Sequence, residues 1–475
     1  MRILRRIIRN LGRGGTAAGV FDLIAAIDHK VRGQESIEAV FRSLDAERDP
    51  LLGYLRRRRG SAVAAKALTL KILNLLAAKR ELLARSTAPF SRPYGLMVDP
   101  SNGCNLACPG CVHSSTVKAL KIFDWNKGLL SEALFRSLMQ CYGSAAFQIM
   151  FCNYGEPLTN PNTPRLIEVA KGYYVQTALS TSLSIGRFDA EAYVRSGLDF
   201  MILSIDGATQ KVYERYRQNG NIDVVYRNVE KLVRAKRTLR KRTPVIRWQF
   251  LAFEHNAHEI PLAFKTAKAL GVDQFTVKAP FDVSWDDPGV QPADVPLMNV
   301  EFDPGTDEKF SENYAVDSDE MATETIEREF ETPWAEKLVA QRGRQAASAK
   351  LPVLPSAHTC HWLYKTMVMD ANGRILPCCA APHSAGELVF STLTHTRPDD
   401  CFNSELYQEA RLFFADKAAY QQERAQSGGI PGPYCAGCKF EQLVTDIGGK
   451  EIAQSLRTFG AGLIDSRTIG ILTEW

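Results

Sequence analysis

Three cysteines with short loop spacings are the residues of this chain that most clearly carry chemistry. They follow a C-x3-C-x2-C pattern at Cys104, Cys108 and Cys111, with Asn, Pro and Gly between them to favour turns. Three thiolates on such a loop can bind one face of an iron–sulfur cluster and leave one iron of a four-iron cluster without a protein ligand. A metal with an open coordination position can bind and activate another molecule, as open zinc sites do. The alternatives are a zinc site completed by His113, or three unrelated core cysteines.

A second set of cysteines lies in the last third of the chain. Four of them occupy hairpin or loop positions: Cys360, Cys378, Cys435 and Cys438. Because all four could be ligands, the pattern predicts a closed metal site, and zinc is a fair alternative to a cluster on ligand number alone. Cys379 either replaces Cys378 or is a spare thiol. The other cysteines are assigned to packing: Cys141, Cys152 and Cys401.

The composition is that of a globular protein from a reducing compartment. A chain of 475 residues is too long for one ordinary core, so we expect two or three domains. Eleven cysteines would suit a secreted disulfide scaffold, but their odd number and their clustering favour metal ligation in the cytoplasm. The basic N-terminus lacks the pattern of a signal peptide, and no apolar run is long enough to predict a membrane span.

Charge and hydrophobic pattern divide the chain into four segments. These are an N-terminal helical region, a strand–helix region, an acidic linker or insertion, and a cysteine-rich α+β extension, at residues 1–92, 93–281, 282–350 and 351–475. Residues 1–92 carry 19 basic and 8 acidic side chains, whereas residues 282–331 carry 2 basic and 16 acidic ones. Contact between these oppositely charged segments is a hypothesis, and separate solvation is the alternative. The acidic segment is interpreted as partly flexible and as a candidate lid.

The N-terminal region shows helical periodicity only. Helices are predicted at Ala18–Val31, Ser36–Ala46 and Ser61–Arg85. The third is amphipathic and, with the basic run Arg56–Arg59, could make a peripheral contact with an anionic membrane surface. The alternative is a helical cap packed on the catalytic domain. Few aromatic residues are present to stack on bases, so we expect no binding of nucleic acid.

Strands alternate with helices from residue 93 to 281. The predicted strands are Leu96–Val98, Phe147–Phe151, Val175–Leu179, Phe200–Ile205, Ile246–Phe253 and Phe275–Val277. The predicted helices are Ala133–Met139, Thr163–Ala170, Asp189–Arg195, Val224–Arg240 and Ala257–Leu270. This alternation predicts an α/β fold with a parallel sheet, whose functional groups lie at the C-terminal strand ends. The cysteine loop follows the first strand, at that end.

Two polar residues on the last strands are candidates for catalysis. One face of the fifth strand must point into the fold, so Gln249 is a candidate contact for substrate or cofactor. A satisfied buried amide is the alternative interpretation of Gln249. Lys278, at the end of the sixth strand, is likewise a candidate contact for substrate or cofactor, with a structural role as the alternative.

The cysteine loop and the strand–helix region resemble the radical SAM superfamily. The resemblance implies a partial (β/α)6 TIM-like barrel over residues 93–281 and a [4Fe-4S] cluster at Cys104, Cys108 and Cys111. It also implies that S-adenosyl-L-methionine binds the open iron, and that an electron from a flavodoxin- or ferredoxin-like reductant cleaves it to a 5'-deoxyadenosyl radical that abstracts a substrate hydrogen. One departure is Gly110, since the family usually has an aromatic residue there, near the adenine.

The resemblance assigns eight residues at strand ends to the cofactor: Tyr154, Gly155, Glu156, Ser180, Thr181, Ser204, Asp206 and Arg217. The first three resemble the family's GGEP motif, with the backbone and Glu156 meeting the methionyl ammonium. Ser204 and Arg217 resemble residues that contact the methionine carboxylate and the ribose region. A guanidinium suits this role because its two N–H groups pair with a carboxylate.

The C-terminal cysteines resemble the SPASM and twitch extensions of radical SAM enzymes. A hairpin is predicted from Lys365–Asp370 and Arg374–Pro377, with an Asn-Gly turn between them. The resemblance implies an auxiliary [4Fe-4S] cluster at Cys360, Cys378, Cys435 and Cys438. Seven ligands for a two-cluster SPASM domain are not present, so the match is closer to the single-cluster twitch type.

Together these features predict a radical SAM oxidoreductase. Its expected substrate is a small polar metabolite, such as a sugar, a cyclitol or a natural-product intermediate, with the auxiliary cluster assisting an oxidation. Modification of a ribosomal peptide is the alternative, although the modules that recognise such peptides mix strands with helices. The non-enzyme alternatives are an iron–sulfur electron carrier and a zinc-bound interaction protein.

Overall fold

The protein is described by a computed structural model. The residues that it describes are 62–114, 128–280, 290–302, 319–345, 360, 362–379, 389–394, 398–426 and 433–437. The first two predicted helices, the basic run Arg56–Arg59 and the expected ligand Cys438 lie outside the described residues.

One sheet organises the described part of the chain. Six strands follow one another in it: β1 Gly95–Val98, β2 Gln148–Phe151, β3 Gln176–Thr181, β4 Phe200–Ser204, β5 Val245–Leu251 and β6 Gln274–Lys278. Each pairs in parallel with the next. Four more strands extend the two edges: β7 Met298–Glu301, β8 Thr366–Met369, β9 Arg374–Leu376 and β10 Ser391–Thr392. The order β10-β9-β8-β1-β2-β3-β4-β5-β6-β7 leaves the sheet open, as in a partial barrel.

Helices connect the parallel strands and cover their outer face. The first seven are α1 Ala62–Leu83, α2 Glu132–Tyr142, α3 Thr163–Gly172, α4 Ala190–Arg195, α5 Gln210–Tyr216, α6 Ile222–Thr238 and α7 Ile260–Leu270. Six more follow: α8 Glu320–Phe330, α9 Pro333–Gln345, α10 Trp362–Lys365, α11 Pro398–Cys401, α12 Glu405–Ala415 and α13 Lys417–Gln426. The predicted strands and helices of the barrel are therefore confirmed, with small differences at their ends. Among the described helices of the barrel, only α5 was not predicted.

The two faces of the sheet differ because side chains alternate along a strand. On β2, Ile149 and Phe151 pack in the large core beneath the helices, together with Trp248 of β5. Met150 points to the other face, where it packs with Met97 and other residues of a smaller core. This second face is the inner face of the partial barrel, here called the lumen, so residues in register with Met150 face the lumen.

The third predicted helix is confirmed as α1, and it packs against α8 and α9 of the acidic segment. Lys66 Nζ lies 3.6 Å from Glu327, and Arg92 Nη1, just before β1, lies 2.7 Å from Glu329. These ion pairs confirm the hypothesis that the basic and acidic segments meet. The described helix is thus a cap on the barrel, and a membrane contact by the N-terminal region stays a prediction. Among the described helices, none is long and apolar enough to cross a membrane.

The acidic segment is more regular than the interpretation as a linker implied. It contains β7, which pairs antiparallel with β6, and the helices α8 and α9. The side chain of Asp319 caps α8 by accepting a hydrogen bond from the amide of Ala322, 3.1 Å away. Most of the acidic side chains of α8 lie on its exposed face, Asp319 lies at its N-terminus, where negative charge is favourable, and the buried Glu329 pairs with Arg92. The acidic run therefore contains amphipathic elements. Val290 packs beside the cysteine loop, while a lid function stays a prediction.

The predicted hairpin is confirmed as β8 and β9, but it does not form a separate sheet. Gly373 closes its turn with φ of +82°, a left-handed conformation that favours glycine. β8 pairs in parallel with β1 along its whole length, from Gly95 opposite Thr366 to Val98 opposite Met369. The C-terminal extension therefore continues the barrel sheet beyond its first strand, and β1 is covered on both edges.

Lys71 should contribute to stability although it is a charged residue in a core. Its ammonium is buried and donates to the carbonyls of Gly143, at 2.6 Å, and Ala146, just beyond α2. We expect Lys71→Met to lower the free energy of unfolding by about 1–3 kcal/mol, because it leaves buried carbonyl oxygens without their donor.

Lys66→Met on the same helix is the matched control. Lys66 pairs with a half-exposed glutamate, so its loss should cost less than about 1 kcal/mol. Chemical denaturation of both variants under anaerobic conditions measures the difference, and equal effects would contradict the role given to Lys71.

Candidate functional site

The three cysteines of the loop after β1 lie together at the C-terminal end of the sheet. They share an apolar cluster with Leu106, Tyr216, Phe253 and Val290. Burial, and next the carboxylate of Glu156, raise the pKa of Cys104 to about 12, and Cys108 and Cys111 contribute to that shift. Burial likewise raises the pKa of Cys108 to about 11. A buried thiolate therefore needs a cation beside it, which is what an iron–sulfur cluster supplies.

Local backbone bonds shape this loop. The amide of Leu106 donates to Cys104 Sγ at 3.4 Å, and the amide of Cys111 donates to the carbonyl of Cys108 at 3.1 Å. Gly110 has φ of +73°, in the left-handed region that favours glycine. The backbone turn before the third cysteine thus accounts for the glycine where the family usually has an aromatic residue.

The loop after β2 is fitted against the cysteine loop. A Cβ atom on Gly155 would lie 1.6 Å from the carbonyl oxygen of Ser101, so this position accepts only glycine. The amide of Glu156 donates to the carbonyl of Gly103 at 2.8 Å. The sequence predicted both residues at the cofactor, and the structure places them directly against the segment that leads into Cys104.

Glu156 uses its side chain to join the ends of β2 and β3. Its carboxylate accepts the hydroxyl of Thr181 at 2.6 Å, and the amide and hydroxyl of Ser182 at 2.9 Å each. A fourth donor is the amide of Leu158, at 3.1 Å. The side chains of Glu156 and Thr181 therefore hold each other, and contact between Glu156 and a methionyl ammonium stays a prediction.

Asp99 is a residue of this site that the sequence reasoning missed. Its buried carboxylate accepts three consecutive amides of the loop after β2: Asn153 at 2.7 Å, and Tyr154 and Gly155 at 3.1 Å. Burial raises the pKa of Asp99 to about 7. The signal in the sequence was an acidic residue directly after an apolar strand and just before the cysteines, where a solvated turn would have been the ordinary interpretation.

Asp206 and Arg217 form an ion pair beside the cysteine loop. Arg217 Nε donates to Asp206 Oδ2 at 2.6 Å, and Arg217 Nη1 lies 3.8 Å from Cys108 Sγ. The hydroxyls of Ser180 and Ser204 lie 3.3 Å apart, on the lumen side of β3 and β4. The structure thus brings the predicted residues of four strand ends to one place.

The lumen side of β5 and β6 is polar. Arg247, Gln249 and Lys278 alternate with the outward-facing Trp248 and Val277. Arg247 Nε donates to Gln274 Oε1 at 2.7 Å. Burial, and next the charge of Arg247, lower the pKa of Lys278 to about 8, so this ammonium can lose its proton near neutral pH. Both predicted catalytic residues therefore lie on the lumen wall.

The C-terminal cysteines also approach one another. Burial raises the pKa of Cys379, with further contributions from Cys378 and Cys360. Cys378 and Cys435 both interact with the buried Tyr407. Among the described residues no three side chains, either here or at the first cysteine loop, already stand in a metal-binding arrangement. The auxiliary ligand set thus stays a prediction, as does the role of Cys379.

The residues at the first cysteine loop fit an iron–sulfur cluster and its cofactor. No disulfide joins the described cysteines. The side-chain nitrogen of Asn153 is buried at the same strand end and has no hydrogen-bond partner among the described residues. Grouped thiols, a close backbone approach at Gly155 and an unsatisfied amide are what a site built for a bound group requires.

Gly155→Ala should disturb the cysteine loop, because a Cβ atom there meets main chain rather than a movable side chain. We expect iron bound per chain, after anaerobic reconstitution, to fall by at least half. Gly186→Ala is the matched control, since a Cβ atom at this exposed glycine would meet nothing within 4 Å. Iron content equal in both variants would contradict the close fit of the two loops.

Arg247→Met should raise the pKa of Lys278 above 8, because it removes a neighbouring positive charge that disfavours the ammonium. The pKa can be followed by NMR of the protein after reductive ¹³C-methylation of its lysines, with Lys278→Arg to assign the signal. Lys365, whose pKa is lowered to about 8 by burial alone, is the internal control and should not change. An unchanged or lowered pKa of Lys278 would contradict the predicted interaction.

Comparison with known proteins agrees with this geometry. Residues 98–246 match the model of the radical SAM superfamily, and residues 360–439 match the iron–sulfur cluster-binding SPASM domain. No curated protein matches the chain significantly.

Several solved structures resemble the fold. Streptococcus suis SuiB is 14% identical, with a TM-score of 0.45 over 79% of this chain and 81% of SuiB. BtrN, solved in complex with AdoMet and 2-DOIA, is 12% identical, with a TM-score of 0.37 over 75% of this chain and 97% of BtrN. The structure of anSMEcpe with bound AdoMet is 15% identical, with a TM-score of 0.39 over 74% of this chain and 88% of anSMEcpe.

The two family matches fall on the two groups of cysteines. The first covers the strand ends around Cys104, Cys108 and Cys111, and the second begins at Cys360. Together they imply a [4Fe-4S] cluster that binds S-adenosyl-L-methionine and an auxiliary cluster. The chain is therefore a radical SAM superfamily enzyme with a C-terminal SPASM domain.

Proposed function

We propose that this protein is an oxidoreductase of the cytoplasm that acts on a small polar metabolite, such as a sugar, a cyclitol or a natural-product intermediate. When bound and reduced by a flavodoxin- or ferredoxin-like donor, the cluster would cleave S-adenosyl-L-methionine and so supply a 5'-deoxyadenosyl radical, which would abstract a hydrogen atom from the substrate. The observation that carries the proposal is the position of three grouped thiols at the mouth of a lumen with a polar wall.

The residues around the thiols have distinct parts in this proposal. Cys104, Cys108 and Cys111 hold the cluster. The backbone of Tyr154 and Gly155 is kept in place by Asp99 and is the surface offered to the methionyl ammonium. The unsatisfied amide of Asn153 is available to an acceptor on a bound group.

Two more strand ends supply contacts for the methionine carboxylate and the ribose region. Ser180 and Ser204 present hydroxyls to the lumen side by side. Arg217, oriented by Asp206, supplies a positive charge at the same end of the sheet. These groups are hydrogen-bond donors, as a carboxylate requires.

The polar wall of the lumen favours a polar substrate. Gln249 can donate and accept hydrogen bonds there, and Lys278 can hold or release a proton near neutral pH. A substrate with several hydroxyl, amino or carboxylate groups could exchange hydrogen bonds with these side chains.

The auxiliary cluster gives the proposed reaction its oxidative direction. Cys360, Cys378, Cys435 and Cys438 would hold this cluster, and it would accept the one further electron that an oxidation removes from the substrate after hydrogen abstraction. Support comes from the proximity of Cys360, Cys378 and Cys379 and from the match to the SPASM domain. A single cluster of the twitch type remains the proposed arrangement.

A ribosomal peptide is the alternative substrate, and one observation favours it. The lumen wall of β1, β2 and β8 is apolar, with Met97, Met150 and Val368 in one cluster. An apolar side chain of a peptide could pack on this wall. SuiB was solved with its precursor peptide SuiA, and BtrN with 2-DOIA, so likeness to these folds does not choose between the two classes.

The first experiment measures metal and turnover together. Protein purified without oxygen should contain about eight iron atoms per chain, and should release 5'-deoxyadenosine from S-adenosyl-L-methionine after reduction by dithionite. The triple variant Cys104→Ala, Cys108→Ala, Cys111→Ala should keep about four iron atoms and lose the release. Cys141→Ala, which lies outside both cysteine sets, should match the wild type. Zinc in place of iron, or no release from the wild type, would overturn the proposed function.

The same assay separates the two substrate classes. The small-molecule fraction of a cell extract, separated from proteins and peptides, should stimulate 5'-deoxyadenosine release. A peptide fraction above about 2 kDa should not. Stimulation by the peptide fraction alone would replace the metabolite proposal with the peptide alternative.

A further inference from the structure

Arg217 contacts a predicted cluster ligand directly. Its Nη1 lies 3.8 Å from Cys108 Sγ, within hydrogen-bonding range of sulfur, and Cys108 is only 5% exposed. The sequence resemblance placed this guanidinium at the methionine carboxylate and ribose region of the cofactor. The structure shows a second contact, with the protein's own thiol, which the resemblance did not imply.

A buried carboxylate fixes the orientation of Arg217. Asp206 is fully buried and holds Arg217 Nε through Oδ2 at 2.6 Å, while its Oδ1 accepts the amide of Leu251 at 2.7 Å. The carbonyl of Asp206 accepts the side chain of Asn256 at 3.0 Å. These hydrogen bonds hold Asp206 against β5, and Asp206 in turn fixes the orientation of the Arg217 guanidinium. In that orientation Arg217 Nη1 is directed at Cys108 Sγ.

The surroundings of this pair are apolar. The guanidinium lies 4.9 Å from the ring of Tyr216, which in turn lies 4.4 Å from the ring of Phe253. The guanidinium of an arginine keeps its proton in proteins. Arg217 is therefore a permanent cation. Charges act strongly on one another where aromatic rings replace water.

We propose that Arg217 sets the reduction potential of the cluster bound by Cys104, Cys108 and Cys111, with Asp206 as the residue that positions it. The inference rests on the proposed function, since it requires a cluster at these thiols. One electron from a low-potential donor makes the cluster and its ligands more negative by one charge, and no bond is formed or broken. A fixed cation and an N–H donor at a ligand sulfur stabilise the more negative form, so Arg217 makes reduction easier.

A purely structural role for the ion pair makes a different prediction. If Arg217 only closed the ends of β4 and β5, its loss would change folding and metal loading but not the potential of clusters that do load. The reduction potential of the cluster depends on charge and hydrogen bonding at its sulfur ligands, whether or not the stability of the protein changes. The potential is therefore the readout that separates the two roles.

The test compares Arg217→Gln, which removes the charge, with Arg217→Lys, which keeps it. Each protein is loaded with iron and sulfide and titrated potentiometrically without S-adenosyl-L-methionine, with the reduced cluster followed by EPR. We expect a more negative potential in Arg217→Gln and a value near that of the wild type in Arg217→Lys. The auxiliary cluster is the internal control and should keep its potential in all three. Equal potentials of the first cluster in wild type and Arg217→Gln would overturn the proposal.

A measurement on the wild type covers the case in which Arg217→Gln fails to load a cluster. Protein labelled with ¹⁵N in its arginine side chains should show a nitrogen coupling to the reduced cluster in pulsed EPR, and Arg217→Lys should lack it. Absence of the coupling in the wild type would also overturn the proposal. Normal 5'-deoxyadenosine release with no coupling would refute this inference alone, whereas loss of the wild-type cluster itself would refute the proposed function.

Discussion

Buried carboxylates at the C-terminal ends of the strands hold the functional end of this fold together. Asp99 follows β1 and binds the amides of the loop after β2, and Glu156 follows β2 and binds the end of β3. Asp206 follows β4 and binds the amide of Leu251 in β5. Burying a carboxylate is costly unless several donors surround it. Each of these has at least two, so each strand end is tied to the loop of a neighbour, and the cysteine loop rests on that network.

The sequence predicted the barrel well because its signals are local. Alternation of apolar strands with amphipathic helices located β1 to β6, and the spacing of the cysteines located the site. Pairing between distant segments was not readable, so the addition of β8 beside β1 came from the structure. Likewise Arg217 was predicted at the site, but its contact with Cys108 depends on how Asp206 is held by β5. Asp99 was missed because an acidic residue after an apolar strand is equally typical of a solvated turn, and only the structure shows that it is buried.

The acidic segment shows how composition can hide structure. Its charge suggested a linker, yet α8 buries Ala322, Ile326 and Phe330 on one side, while Glu327 pairs with Lys66 of α1 and Glu329 pairs with Arg92. The contact between α1 and α8 then joins two segments that lie far apart in sequence on the same side of the barrel. Oppositely charged surfaces in this protein are therefore part of one packed layer, and the whole-chain net charge of +5 describes neither of them.

The pairing of β1 with β8 bears on the order in which the protein is built. A ribosome releases β1 early and β8 only after the whole barrel has been synthesised, yet both edges of β1 are covered in the finished fold. Until then, the strand that leads into the cysteine loop has an open edge, which is a template for unwanted pairing. The support of the cysteine loop is therefore complete only after the C-terminal hairpin has been synthesised and has added β8 beside β1.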